Sequence, residues 1–394
     1  MTNRTGLVRS LSLHHQDRSS RRRRCLVLAG GGHAHLAVLA DWIRDPPKGL
    51  ETWLITKDQF TAYSGMIPGW MAGHYDAGEN LIDLRSLAGR AGVKLVIDTI
   101  EGLDADRNSV ILSNSITISF DLLSLATGGE VDTSLLAALG ERLLPVRPVS
   151  EFVSRWPRVV EQAARGHGFH LVVVGGGAAG VEIALAAQHA FDAVSPAAKV
   201  SIVTADNTLL PGHSPTVVAR AEGELEEKGI DVHFASAVGA DTGLVLSDGT
   251  MMNADCVIAA TGSKAPHWLK RSGLALDEQG FVRIGADLRS ISHGDIFAAG
   301  DIVTRIDRSV ARSGVHAVRA GPVLAANLRA SLTGSELRSY IPKRRTLYLL
   351  ATGDKRAILS WGSLSASGKL IWRLKDWIDR GFVKRHADLG RRPN

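Results

Sequence analysis

Two glycine turns, roughly 145 residues apart, constrain this chain more than any other feature. In the first, the apolar run Cys25-Leu26-Val27-Leu28-Ala29 meets Gly30-Gly31-Gly32-His33-Ala34-His35, and helix-compatible residues follow. In the second, apolar residues 171–174 lead into Gly175-Gly176-Gly177-Ala178-Ala179-Gly180-Val181-Glu182. A strand, a tight turn and a helix start in that order cradle a dinucleotide pyrophosphate. Gly30 takes backbone angles other residues resist, and Gly32 lets the chain approach the phosphates. The helix behind them offers unpaired N–H groups and the positive end of its dipole. The second copy has its third glycine, Gly180. The first has His35 there, so its strand and helix are expected to sit slightly further apart.

The chain has 394 residues, room for two to three domains. Hydrophobic residues at 45%, charged residues at 22% and 41 glycines suit a soluble, turn-rich α/β enzyme. Cys25 and Cys256 lie far apart in apolar runs, which favours buried thiols over a disulfide, and no CxxC encodes a dithiol relay. The net charge of +6 is concentrated at the ends, and no run reaches the ~18 apolar residues that span a bilayer. Residues 1–24 carry seven arginines without periodicity and read as a disordered basic tail, with an export or transit signal as the lesser reading. No nucleic-acid motif is present.

Taken in order, residues 52–56 form the second strand, ending in Thr56-Lys57 where an acidic residue usually holds a ribose. Residues 63–75 mix aromatics, glycines and a proline. They read as a crossing that lines the cofactor ring through Tyr63, Ser64 and Met66, or as a purely structural loop. A β-meander over 110–118 precedes the buried strand 120–125 and its ending Ala126-Thr127-Gly128. A helix is expected over 145–165. Beyond the second turn come a strand (200–204), a helix (214–228), an Asp248-Gly249 hairpin and a strand ending in Ala260-Thr261-Gly262. The two halves thus share one plan, an internal duplication. A later strand ends in Gly300-Asp301, and residues 309–330 are helix-compatible.

These markers resemble the two-dinucleotide-binding-domain flavoproteins of the pyridine nucleotide-disulfide reductase superfamily, over about residues 25–335. Within it the chain is similar to type II NADH:quinone dehydrogenases and sulfide:quinone reductases. It most resembles the flavoprotein domain that some organisms fuse ahead of selenide, water dikinase, through Gly-Gly-Gly-His-x-His and Tyr63-Ser64-Gly65-Met66-Ile67-Pro68-Gly69. The resemblance implies an α/β fold with two Rossmann-like domains, each with a parallel sheet and a β-meander. The FAD domain would be split over 25–147 and 272–335, the NAD(P)H domain would be 148–271, and a C-terminal extension would be 336–394. Gly30, Gly31 and Gly32 with His33, His35, Thr56, Lys57, Ala126, Thr127 and Gly128 would surround FAD. Gly300 and Asp301 would meet its ribityl chain, and the helix starting near Gly314 and Val315 would point its dipole at the flavin. Gly175, Gly177, Gly180, Thr261 and Gly262 would hold NAD(P)H, with Glu182 near the nicotinamide as a relay or simply as a first-turn glutamate.

Thr204-Ala205-Asp206 lacks the usual acid of an NADH site and any arginine for a 2′-phosphate, so NADH and NADPH both stay open. His33 and His35 are not expected to bind metal inside a glycine turn. His74, His213 and His316 read as surface or packing residues. Residues 369–385 place Leu370, Ile371, Leu374, Trp377 and Ile378 on one helical face among basic residues. That stripe suits peripheral contact with a cytoplasmic membrane face, or packing on the flavin domain or a dimer partner. The expected function is an FAD-dependent oxidoreductase passing hydride from NAD(P)H through flavin to a quinone-like acceptor, with Glu182, Tyr63 and Ser64 as catalytic candidates. Without a suitable cysteine pair, disulfide and sulfide chemistry are disfavoured. The alternatives are a flavin-binding redox partner linked to selenophosphate synthesis and a reductase of a soluble electron carrier.

Overall fold

The computed structural model describes residues 23–165 and 168–391. The basic tail expected over 1–24 therefore lies outside the described residues except for Arg23 and Arg24, and Arg24 already opens the first strand.

Two five-stranded parallel sheets carry the architecture. The first is built from β1 (Arg24–Ala29), α1 (His33–Arg44), β2 (Leu50–Thr56), α2 (Ile67–Met71), α3 (Leu84–Ala91), β3 (Lys94–Ile97) and β4 (Leu122–Leu125). The second follows as β5 (Leu143–Pro145), α4 (Val149–Arg165), β6 (His170–Val174), α5 (Ala178–Asp192), β7 (Lys199–Thr204), α6 (Pro215–Glu227), β8 (Asp231–Phe234) and β9 (Cys256–Ala259). The chain then returns to add β10 (Ile296–Ala298) to the edge of the first sheet and continues into α7 (Gly314–Thr333). Spatial order is β10-β4-β1-β2-β3 in one sheet and β5-β9-β6-β7-β8 in the other. The central strands are continuous apolar runs because helices cover both faces: residues 26–29 and 171–173 are fully buried.

The duplication read from sequence extends to individual bonds. Gly30 donates its N–H to Ile55 at 2.7 Å and Gly175 donates to Val203 at 2.8 Å. Ala126 donates to Ala29 at 2.8 Å, and Ala260 donates to Val174 at 2.9 Å. Each half also carries a three-stranded antiparallel meander, over Ile100–Asp104, Ser109–Leu112 and Thr117–Ser119 in the first and Ala237–Ala240, Gly243–Leu246 and Met251–Asn253 in the second.

Two boundaries differ from expectation. Residues 143–145 form a strand beside β9, and the helix starts only at Val149. The residue before a proline is pushed toward extended backbone, so Pro148 delays the helix. Similarly α7 begins at Gly314, not at 309.

The C-terminal segment forms a three-stranded antiparallel sheet, β11 (Leu347–Ala351), β12 (Ala357–Trp361) and β13 (Leu364–Gly368), followed by α8 (Lys369–Gly390). This sheet ties the halves together. Ala351 and Ala357 pack into the core around the first sheet, whereas Leu350 and Ile358 join the core around the second.

Candidate functional site

The first glycine turn and the strand ending opposite it press directly on each other. Gly30 has φ +99°, and a Cβ there would lie 2.6 Å from the Ala126 oxygen and the Thr127 Cα. A Cβ on Gly32 would lie 2.3 Å from the same oxygen. This contact explains why glycines and Ala126-Thr127-Gly128 occur together: the turn is moulded on that ending. The second half repeats the arrangement, with a Gly175 Cβ falling 2.4 Å from the Ala260 oxygen. The threonines standing where acids were expected are equivalent too. Thr56 Oγ1 lies 2.9 Å from where a Gly31 Cβ would be, and Thr204 Oγ1 lies 2.7 Å from that of Gly176.

A cleft of about 670 Å³ opens at the first turn. Gly30, Gly31, Gly32, His33, Thr56 and Lys57 line one side, and Ala126, Thr127 and Gly128 another. Ser64, Gly300, Asp301 and Gly314 line it further along. The sequence reading missed Asp58, Val149, Trp268 and Arg147 on its walls. Arg147 donates to Asp301 at 2.5 Å, linking the stretch before α4 to the Gly-Asp loop. Its neighbour Pro148 was the available signal, since it forces the chain out of helix beside the cleft.

Buried polar atoms normally have partners. Among the described cleft residues, His33 Nε2, Thr127 Oγ1 and Asp301 Oδ1 are buried with none. The N-termini of α1 and α7 also reach this cleft with no side-chain cap on their N–H groups. Unmatched donors and acceptors, two helix N-termini and a glycine-moulded cradle are what an FAD diphosphate and ribityl chain require. The residues fit FAD.

His35 is placed elsewhere. Its ring is buried, with Nδ1 2.6 Å from the Gly30 oxygen and Nε2 2.8 Å from Ser124 Oγ, and it does not line the cleft. It holds the turn from behind. Burial lowers its pKa to about 4, as it does for His33. Val315 sits in the first turn of α7 without reaching the cleft wall. Gly175, Gly177 and Gly180 form the second turn, and Thr261 Oγ1 beside Gly262 donates to the Asp132 oxygen at 3.0 Å.

Between the two turns lies a cluster that the sequence revealed only in part. Glu182, two residues after Gly180, is partly buried and accepts the Ala351 N–H at 2.7 Å. Burial raises its carboxyl to about 7; Lys375 opposes that rise, and Asp379 adds to it. Lys375 donates to Asp379 at 2.9 Å and to the Gly65 oxygen at 2.7 Å. Burial works against the Lys375 charge, but Glu182 and Asp379 outweigh it and hold the ammonium above its usual range. Tyr63 donates to Asp379, and burial together with that carboxylate raises its hydroxyl pKa. The Tyr63 ring stacks on Phe382 at 4.5 Å and meets His33 edge-on at 5.5 Å. The cluster thus runs from the second glycine turn to a residue on the FAD cleft wall. The i,i+4 spacing of Lys375 and Asp379 was the signal for the missing members, hidden inside a stretch that reads as a surface helix.

The two cysteines lie on different sheets, Cys25 in β1 and Cys256 in β9. Burial pushes the Cys256 thiol up to about 12, unlike a reactive thiolate. No group of metal-ligating residues occurs among the described residues.

Two parallel sheets with duplicated dinucleotide turns, one opening into an FAD-shaped cleft, define a flavin oxidoreductase. The pyridine nucleotide-disulphide oxidoreductase family model matches residues 24–321, and the chain belongs to that family, whose members use FAD and NAD(P)H. The NADH dehydrogenase-like protein MT1860 of Mycobacterium tuberculosis (strain CDC 1551 / Oshkosh) is 29% identical over 232 residues, covering 56% of this chain and 58% of that protein. The demethylphylloquinone reductase NdbB of Synechocystis sp. (strain ATCC 27184 / PCC 6803 / Kazusa) is 24% identical over 300 residues, 72% of each chain. The sulfide:quinone oxidoreductase of Aquifex aeolicus superposes with a TM-score of 0.78 at 15% identity, covering 93% of this chain and 92% of its own, a likeness of fold.

Proposed function

We propose that the protein oxidises a reduced nicotinamide and reduces a quinone-like acceptor, with the second glycine turn receiving the donor. Bound FAD would supply the two-electron carriage between them. The observation that carries this reading is Glu182. Its carboxyl is partly buried just after the second glycine turn, with desolvation raising its pKa to about 7 against the pull of the buried Lys375 ammonium. An acid poised near neutrality can hold or release a proton at working pH, as quinone reduction demands. Lys375 and Asp379 set the charge around that proton position, and Tyr63, bonded to Asp379 and edge-on to His33, ties the pair to the cleft wall. The relatives named as an NADH dehydrogenase-like protein and a demethylphylloquinone reductase support donor and acceptor class respectively. The two cysteines on separate sheets support chemistry without a redox disulfide.

α8 supports a membrane-surface site for this reaction. Among the described residues no helix is long and apolar enough to cross a membrane. α8 instead packs through Trp372, Lys375, Asp379, Val383 and His386 and turns Leu370, Leu374, Trp377 and Ile378 of its apolar stripe outward, while Ile371 packs on the core around the first sheet. Leu370 and Trp377 are 75% and 74% exposed. An apolar face left in water beside basic residues suits the headgroup layer.

Steady-state oxidation of NADH and NADPH with a short-chain quinone tests the proposal. Turnover that falls about 10²-fold in Glu182→Gln, with flavin content retained, is expected. Full flavin occupancy with no turnover on any quinone would overturn it and turn attention to a redox-partner role.

A further inference from the structure

The C-terminal sheet leaves one face open. Across its strands Leu347 pairs with Trp361, and Trp361 with Leu364, so these three share a face; Leu359 lies two residues before Trp361 on the same face. Together they floor a groove of about 1020 Å³. Trp361 and Leu364 are 46% and 55% exposed, although strand residues of this kind normally pack. The remaining walls are all cationic: Arg319 from α7 and the consecutive Lys343, Arg344 and Arg345. Among the described residues no acidic side chain lines the groove. The Arg345 stem is held across the β12–β13 turn, where Gly362, at φ +63°, leaves it room: a Cβ there would lie 3.0 Å from Arg345 Cδ.

We propose that this groove binds an anionic phospholipid, with its phosphate on the cations and its acyl chains on the leucine–tryptophan floor. The inference rests on the membrane-surface reading and adds a specific lipid class to it. Charge complementarity selects an anion, and the apolar floor selects an amphiphile over a free phosphate. The surroundings select a bilayer over a protein partner. Ile341, two residues before the cationic run, is 73% exposed, and β13 leads straight into α8, whose Leu370 and Trp377 are turned outward. Apolar insertion on both flanks of a basic groove matches an acyl–headgroup boundary.

The FAD-loaded full chain is sedimented with vesicles of phosphatidylcholine alone or with phosphatidylglycerol added, at physiological salt. Wild type is expected to bind the anionic vesicles at least about tenfold better. Lys343→Glu/Arg344→Glu/Arg345→Glu should lose that preference while keeping its flavin, which reports that it folds. Glycerol phosphate at millimolar concentration should not compete. If the triple variant binds like wild type, or glycerol phosphate displaces the vesicles, the groove proposal is overturned and the membrane reading stands. A Leu370→Asp/Trp377→Asp variant separates the two: loss of binding there alone assigns the membrane to α8 and not to the groove. No binding by wild type to either vesicle overturns both, and leaves an acidic protein as the groove's occupant.

Discussion

The two glycine turns have the same backbone bonds but enforce closeness in different ways. In the second turn, a Cβ on Gly180 would fall 1.9 Å from the Gly175 oxygen, so helix and strand touch there through bare backbone. At the matching place in the first turn His35 stands, and its ring Nδ1–H donates to the matching Gly30 oxygen at 2.6 Å. A side-chain bridge has replaced a contact. Tightness elsewhere is redistributed. Gly32 is confined, its Cβ 2.3 Å from the Ala126 oxygen, whereas the equivalent Gly177 has nothing within 4 Å. One plan therefore tolerates two solutions, provided the oxygen at the first glycine is always engaged.

The largest effect that would break this comparison is Gly180→Ala. The clash is with backbone, so stability should fall by about 3 kcal/mol, read by urea unfolding. Glu182→Gln, two residues away, should leave stability nearly unchanged. It should lower quinone turnover about 10²-fold and remove an inflection near pH 7 from the rate profile. His35→Ala loses two buried hydrogen bonds and should cost about 2 kcal/mol, with partial loss of FAD.

Acid sharpens the same point. The pKa values of His33 and His35 are lowered to about 4 in the fold, so the unfolded chain takes up protons first as pH falls. Their contribution is present above about pH 6.5 and is lost as pH falls toward 4, with a slope of up to about 1.4 kcal/mol per pH unit for each ring. His35→Ala should reduce the slope in a pH series of urea midpoints. The smallest effect is expected at Gly177→Ala, with stability within about 0.5 kcal/mol of wild type because its Cβ meets open space.

Much of this was legible from residues. The glycine spacing and the paired Ala-Thr-Gly endings declared the duplication, because turn geometry leaves few residues able to serve there. His35 was legible as the replacement for the third glycine, but its partner Ser124 was not: the 89-residue separation is closed only by sheet pairing. Lys375 and Asp379 were hidden for a related reason. Residues 369–385 present an apolar stripe that looks like the packing face, yet the helix docks by the opposite side and buries a salt bridge. Periodicity shows that a helix has two faces; the tertiary setting decides which one is covered. Arg147 was missed because its partner, Asp301, is 154 residues away.

Two dinucleotide turns on one chain are proposed to serve one electron path. Anaerobic titration of the purified protein with NADH and then NADPH, followed by the flavin absorption band, tests it most directly. Stoichiometric bleaching by one of the two nucleotides, with colour restored by a short-chain quinone, is the predicted result. A flavin band that neither nucleotide bleaches would contradict the account and show that the second turn does not deliver hydride to the first.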